Sequence, residues 1–551
     1  MTNSRAVHYL LLAAVMAIVS LPNLGVPSLW DVDEGVNVGC TREMMESGTW
    51  VVPTFNGELR TAKPVMLYWI QRLSFLAFGI DEWAARLPAV LLGLGTVLLT
   101  YELARRMFDA ATGLLSGIVL ATAIEFCKLS HAATPDAPLI FFIALTLHLF
   151  WIGHEHGSRA WMYPAAFASG LATLTKGPIG LAMPAIIVLL YFAWNRELKR
   201  LLDWRLIRAI LLWILVAAPW YGLVISETRG AYLAFFKNEN AGRFLNAMEG
   251  HRGPLVYYVG AIFVFFAPWC AVLGGAVWYG VRAALPKAAT ANGGLPLADA
   301  RAHRFLLCWA GVYLVFFSLA ATKLPNYIAP LYPALAILTA RYLMRWRNGE
   351  LALPAWVMPL AIAGVVLVGV VTLVGLLIAG GAIPVNVKGL RIMPTLAPWA
   401  WVGGIPIAAA GAMALAFARG RRDSVIAALA IGSIAYIGTM AAFVTPEVDA
   451  YKAPKALVFE SGAHDIEREV RVGSYDYTQP SVTHYVGRKV ERIFDKEAVA
   501  RFLAMPLPVY LFVPAKTWDE QLAGHVATPH RIAARKYDFL RNGDVLVITN
   551  Q

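Results

Sequence analysis

Apolar runs of about 18 residues or more, each long enough to cross a bilayer as a helix, recur along the first four-fifths of the chain. About thirteen spans are predicted, near 7–26, 85–104, 110–128, 135–153, 160–175, 177–194, 207–225, 255–281, 304–321, 326–343, 354–380, 397–418 and 424–444. Residues 7–26 are apolar enough for a signal peptide, but no small-x-small cleavage pattern precedes Pro22, so the segment reads as an uncleaved anchor. Two long polar loops, 27–84 and 226–254, interrupt the series. The first is helix-like over 34–47 and 64–78, and the second of these stretches suits a helix lying in the membrane interface. After Thr445 the period changes. Residues 471–477, 489–494, 509–514 and 544–549 read as strands, and 480–486 and 495–505 as helices between the first three. The expectation is a polytopic α-helical membrane domain over 1–444 and a small α/β domain over 445–551.

Composition strengthens that division. Of 551 residues, 58% are hydrophobic and only 15% charged, which excludes a set of soluble domains. A net charge of +12 would fit a nucleic-acid partner, but from Thr445 onward 14 basic residues balance 14 acidic ones. The excess lies among the spans. With the N-terminus inside, the inner loops hold 19 basic and 8 acidic residues, and the outer loops before Thr445 hold 14 and 13. The positive-inside rule therefore places the N-terminus in the cytoplasm, the α/β domain outside, and no nucleic acid among the partners. Four scattered cysteines form neither a disulfide framework nor a zinc knuckle.

The densest chemistry follows the first span, in Trp30-Asp31-Val32-Asp33-Glu34. Asp31 or Asp33 as the start of the next helix is one reading; a general base or a metal site is the other. Asp136, in Thr134-Pro135-Asp136, either meets a helix dipole after a Thr134 cap or serves a site at the mouth of its span. The outer basic residues Lys63, Lys176, Arg243, His251, Arg252 and Lys323 would singly snorkel to head groups, and together would bind phosphate. Lys323-Leu324-Pro325-Asn326-Tyr327 is the sharpest polar turn in apolar sequence. Lys176-Gly177-Pro178 also fits a plain tight turn.

The order of these motifs carries a resemblance. Asp33-Glu34, Arg42-Glu43-Met44, Lys63-Pro64 with Tyr68-Trp69, Thr175-Lys176-Gly177, His251-Arg252 with Tyr257-Tyr258, and Lys323-Leu324-Pro325 with Tyr327-Ile328 resemble the lipid A aminoarabinose transferase family. That family stands within the wider class of protein O-mannosyltransferase-like membrane enzymes, and the similarity spans essentially the whole chain. The resemblance implies an inverting glycosyltransferase of the bacterial inner membrane with its active site facing the periplasm. Its donor would be a sugar on a polyprenyl phosphate, and its acceptor a lipid such as lipid A, a protein or a glycan. Asp33, Glu34 and Asp136 match the catalytic acids. Lys63, Arg243 and Tyr327 match positions near the carrier phosphate, with Lys323, His251 and Arg252 as further substrate-binding candidates.

Three departures qualify the match. The motif's arginine and tyrosine after Asp-Glu-x read Val36 and Asn37, and Ala62 and Asn240 stand where the aminoarabinose enzymes carry glutamate and histidine that look like metal ligands. No metal or other cofactor is therefore expected to be required, and the chain is expected to act as a monomer among membrane lipids. A transporter or flippase for an anionic lipid or glycan is the alternative, and would need essential charges near the bilayer midplane. A receptor-like protein with a periplasmic sensor domain would not need the paired acids.

Overall fold

The computed structural model describes residues 2–551 apart from 159, 238–241, 243–245, 247–251, 286–296, 388 and 466. Among these, seven helices are long and apolar enough to span a membrane: Glu82–Met107, Asp136–Glu155, Trp204–Glu227, Leu297–Leu319, Val357–Ala379, Pro394–Ala418 and Arg422–Asp449. An eighth span results if Ala110–Ala121 and Ile124–Ser130, bent by 70°, count as one. This is a multi-pass helical membrane protein.

Helix length separates seven or eight from the thirteen expected. The expected spans at 160–175 and 177–194 are the helices Met162–Lys176 and Ile179–Trp194, of 15 and 16 residues. At about 1.5 Å per residue, neither alone crosses a hydrocarbon core of about 30 Å. The expected span at 255–281 is split into Tyr257–Phe265 and Cys270–Ala284, with Pro268 between them. The one expected at 326–343 opens as a 3₁₀ turn, Pro325–Leu331, before the helix Tyr332–Arg347.

The first long loop is folded rather than slack. It contains a helix Asp33–Glu46, a two-strand hairpin (β1 Thr54–Phe55, β2 Glu58–Leu59) and a helix Met66–Phe78. The last buries Met66, Leu67, Tyr68 and Phe75 while exposing Leu73, Leu76 and Phe78, as an interfacial helix does.

The C-terminal part forms a five-stranded sheet of order β4-β3-β5-β7-β6. Its strands are β3 (Arg471–Tyr475), β4 (Val490–Ile493), β5 (Val509–Pro514), β6 (Arg531–Asp538) and β7 (Gly543–Thr549). β3 pairs in parallel with β4 and β5, while β7 is antiparallel to both β5 and β6. One face is covered by Ala453–Ser461 and Pro480–Val486, the other by Lys496–Leu503 and the turns after β5. The four expected strands and two expected helices are present; β6 is additional. Its sequence, Arg-Ile-Ala-Ala-Arg-Lys-Tyr-Asp, lacks apolar alternation and carries edge-strand charges, which is why periodicity passes over it.

This sheet unit is clamped to the first long loop. Asp31 does not cap the helix that follows it. Its Oδ1 accepts a 2.8 Å bond from the Ser481 N–H and its Oδ2 accepts from the Ser481 hydroxyl, at the start of helix Pro480–Val486. Arg42 donates to the carbonyls of Thr483 and His484 at the other end of that helix. The loop thus puts an anion at the helix's positive end and a cation at its negative end. Gly35 lets the two helices touch, since a Cβ there would lie 2.6 Å from the Ser481 nitrogen. Asn56 exchanges two hydrogen bonds with the backbone of Val490, at 2.8 and 2.9 Å, closing the edge of β4.

Candidate active site

Asp33 is the first residue of helix Asp33–Glu46. Its carboxylate faces open space and has neither hydrogen bond nor ion pair among the described residues. Burial of the surrounding wall and then the negative charge of Asp136 raise its pKa, against the pull of Lys63, Lys176 and Arg60. Five charged groups from four separate segments are therefore electrostatic neighbours: two carboxylates and three cations, a formal excess of one positive charge. Such a site favours an incoming anion.

Asp136 is held firmly. It opens helix Asp136–Glu155 without a side-chain cap, and Thr134 caps nothing. Instead, Lys176 Nζ lies 2.6 Å from its Oδ1, and Asn326 Nδ2 donates to Oδ2 at 3.2 Å. Lys176 ends its helix just before Gly177, whose φ of 80° turns the chain, so it is both part of a tight turn and a partner in the site. Its ammonium also lies 5.4 Å from the centre of the Tyr327 ring. The Lys323–Tyr327 turn thus delivers Asn326 and Tyr327 to Asp136 and Lys176.

Two of the expected site residues are engaged elsewhere. Glu34 is buried and accepts four bonds: from Arg86 Nε at 2.9 Å and the Ala133 N–H at 2.8 Å on Oε1, and from Arg86 Nη2 at 2.6 Å and the Trp30 N–H at 2.8 Å on Oε2. Burial alone would raise its carboxyl, but the Arg86 guanidinium holds it below the usual range. Arg86 also donates to the carbonyls of Leu24, Pro27 and Ser28, so this pair ties the loop before Asp33 and the loop before Asp136 to one helix. Lys323 donates to the carbonyls of Phe317, Ser318 and Ala320 at 2.7–3.3 Å, satisfying the end of helix Leu297–Leu319. Lys63 is half-buried within reach of Asp33, and its carbonyl accepts from the Tyr232 hydroxyl at 3.2 Å. Arg252 is exposed, and Arg243 and His251 lie outside the described residues.

Sequence reasoning missed Arg60 and Asn326 as site residues, and Arg86 as the partner that holds Glu34. Asn326 lay inside a motif already singled out. Arg60, three residues before Lys63, carried no separate signal because surface arginines are common.

The protein-family comparison matches residues 62–222 to dolichyl-phosphate-mannose-protein mannosyltransferase. An uncharacterized protein of Aquifex aeolicus is 34% identical over 319 residues, 58% of this chain and 69% of that one. The chain belongs to the aminoarabinose transferase-like, protein O-mannosyltransferase-like family. Within it, the undecaprenyl phosphate-alpha-4-amino-4-deoxy-L-arabinose arabinosyl transferase of Erwinia tasmaniensis is 30% identical over 341 residues, 61% of this chain and 59% of that protein. A second Aquifex aeolicus protein is 32% identical over 64% of its length, so the chain spans under two thirds of these two relatives. The fold likeness is wider. The crystal structure of ArnT from Cupriavidus metallidurans bound to undecaprenyl phosphate matches with a TM-score of 0.79 over 98% of this chain and 97% of that one, at 22% identity. Against the family motif, position 36 is valine, and the guanidinium whose charge reaches Asp33 is that of Arg60. No group of three metal-ligating side chains is gathered among the described residues.

Proposed function

We propose that this chain is an inverting glycosyltransferase that moves a sugar from a polyprenyl phosphate to a lipid A-like lipid, a protein or a glycan, at the periplasmic face of the bacterial inner membrane. The observation that carries this reading is the contrast between two neighbouring acids. Asp136 is locked by Lys176 and Asn326, whereas Asp33 is unpaired among the described residues, open, and ringed by cations. A fixed acid holds geometry. An open one with a raised pKa takes a proton or aims a nucleophile.

In the proposed reaction an acceptor oxygen attacks the anomeric carbon from the face opposite the carrier phosphate, and the carbon–oxygen bond to that phosphate breaks. A hydroxyl acceptor passes its proton to Asp33; a phosphate acceptor is already an anion, and Asp33 then orients it. Lys63 and Lys176 stabilise the charge that grows on the departing phosphate. The 1–444 and 445–551 division serves this chemistry, the sheet unit holding the Asp33 loop by way of Asp31 and Arg42. The family's transferase named for Erwinia tasmaniensis and the undecaprenyl phosphate in the Cupriavidus metallidurans structure support a polyprenyl-phosphate donor. The test is purified chain in nanodiscs with membrane extracts carrying polyprenyl-phosphate sugars, followed by mass spectrometry. A sugar-sized mass gain on an envelope lipid, glycan or protein, absent with Asp33→Asn, is expected; no transfer from any such donor refutes the reading.

A further inference from the structure

A cleft of about 580 Å³ opens where the sheet unit meets the first long loop, a size within the roughly 300–1,000 Å³ of small-ligand pockets. Its wall includes Ser28 of the loop, Asp449 and Lys452, Lys455 of helix Ala453–Ser461, and Lys536 and Tyr537 of β6. Each of these three ammonium groups already has a carboxylate. Lys452 lies 2.9 Å from Asp449, Lys455 2.6 Å from Glu82, and Lys536 2.7 Å from Glu460. Asp449 also accepts from the Ser28 N–H at 2.8 Å and from its hydroxyl at 2.6 Å. Trp30 stands at the same place. Its ring centre is 5.4 Å from the Lys452 ammonium and 5.5 Å from the Phe539 ring, yet the residue is 45% exposed. From Trp30 the chain runs on to Asp33 in three residues, a reach of at most about 11 Å.

The matched charges say what the cleft suits. An incoming phosphate would have to draw a lysine away from its carboxylate, and would meet the carboxylates as repulsion. A neutral ligand rich in hydroxyls meets no such penalty, because each hydroxyl both donates and accepts and the wall offers ammonium, carboxylate, serine and tyrosine groups together. The exposed indole narrows the choice further. A sugar ring has an apolar C–H face that lies flat on tryptophan, and an edge of hydroxyls for the polar wall. A peptide or an acyl chain has no use for both at once. Because Ser28, Trp30 and Asp33 follow one another along one segment, an oligosaccharide seated in the cleft and stacked on Trp30 can present a hydroxyl to the open carboxylate.

We propose that this cleft, with Trp30 beside it as a stacking platform, binds the saccharide part of the acceptor, an inference that rests on the glycosyltransferase reading. The acceptor is then a glycan or a glycolipid rather than a peptide, and the attacking group is a sugar hydroxyl rather than a phosphate. Asp33 accordingly takes its proton.

The experiment uses the full-length chain in nanodiscs, fluorescently labelled, on an array of immobilised bacterial-envelope saccharides. Each saccharide is present with and without phosphate, beside unglycosylated peptides. Wild type should be retained on at least one saccharide whether or not it carries phosphate, and not on the peptides. Trp30→Ala should bind that saccharide about tenfold more weakly, and Trp30→Tyr should recover part of the loss because a flat ring returns. Lys536→Met, at an exposed ion pair of β6, should lose a few-fold. All three variants should bind undecaprenyl phosphate as wild type does, which a misfolded chain would not. Retention on no saccharide, only on phosphorylated ones, or on peptides overturns the proposal. So does a saccharide that Trp30→Ala and Lys536→Met both hold as tightly as wild type. A chain that holds the saccharide through Trp30 yet transfers nothing from any polyprenyl donor overturns the glycosyltransferase reading instead, and leaves the cleft a saccharide site.

Discussion

Replacing Glu34 with glutamine separates support from chemistry in the acidic motif. The amide is nearly isosteric but presents one acceptor oxygen and one NH₂ where the carboxylate presents two oxygens. One oxygen can keep Arg86 Nε and the Ala133 N–H; the NH₂ then faces Arg86 Nη2 and the Trp30 N–H, two donors at 2.6 and 2.8 Å. Two bonds become repulsive and a buried guanidinium loses its counter-charge. Removing one partner of a buried pair costs about 3–5 kcal/mol. The three carbonyls around Arg86 soften the loss, so the lower end, about 3 kcal/mol, is expected. Because Arg86 holds the folded-state pKa of Glu34 below its unfolded value, this contribution is fully present at pH 7 and is lost as pH falls through the depressed folded value. The assay is thermal unfolding of purified Glu34→Gln in nanodiscs at pH 7, with turnover measured well below the melt. A clear drop in melting midpoint, with turnover per folded molecule far above that of Asp33→Asn, is expected. An unchanged midpoint with turnover lost by about a hundredfold or more would show that Glu34 itself handles the proton.

Asp33→Asn should behave in the opposite way, losing about 10²–10⁴-fold in turnover with its melting midpoint intact; near-normal turnover rejects Asp33 as base or orienting group. Lys176→Met leaves Asp136 buried and unpaired, and should lower both stability and turnover, with Asp136→Asn on the same chain recovering part of the stability; no recovery would mean the two do not act as a pair. Asp31, pushed by burial up to about 6 from 3.8, binds its proton more tightly in the folded state. Its stabilising contribution is therefore full below the unfolded value and disappears as pH rises through about 6. The full contribution, about 3 kcal/mol, is reached only below the unfolded value; between pH 7 and pH 5 about 1 kcal/mol of it appears, so the melting midpoint should climb modestly over that range and flatten in Asp31→Asn. Chelation by EDTA should leave turnover unchanged, because Ala62 and Asn240 stand where the family resemblance implies glutamate and histidine; loss that a divalent ion restores would refute this.

Hydropathy was informative about which segments are helical; of the thirteen spans expected, seven or eight among the described residues have both the length and the composition of one. Pairs such as Met162–Lys176 and Ile179–Trp194 have the composition of spans without the length. The sheet unit was legible down to individual helices, except for β6, whose charges mask it. The acids stood out because carboxylates beside apolar sequence are rare, but their division of labour did not. Asp31, Asp33 and Glu34 lie within four residues, yet one holds a distant helix, one is open, and one is buried on an arginine 52 positions away. Nothing local to the motif encodes those three partners. Lys323 misleads for the same reason, since a lysine that closes a helix end and a lysine that binds phosphate look alike along the chain.

The clamp on helix Pro480–Val486 also has a consequence in time. Residues 31–42 are made first, and the groups they grip, 481–484, come about 450 positions later. Through the interval between them the Asp33 segment exists while its partner is still unmade. A chain broken off between 449 and 481 has every one of the described spans but an unclasped acidic loop. Synthesis of residues 481–484 thus closes the clasp on the acidic loop. Supplying residues 445–551 to such a chain as a second polypeptide is then a way to close that clasp on demand.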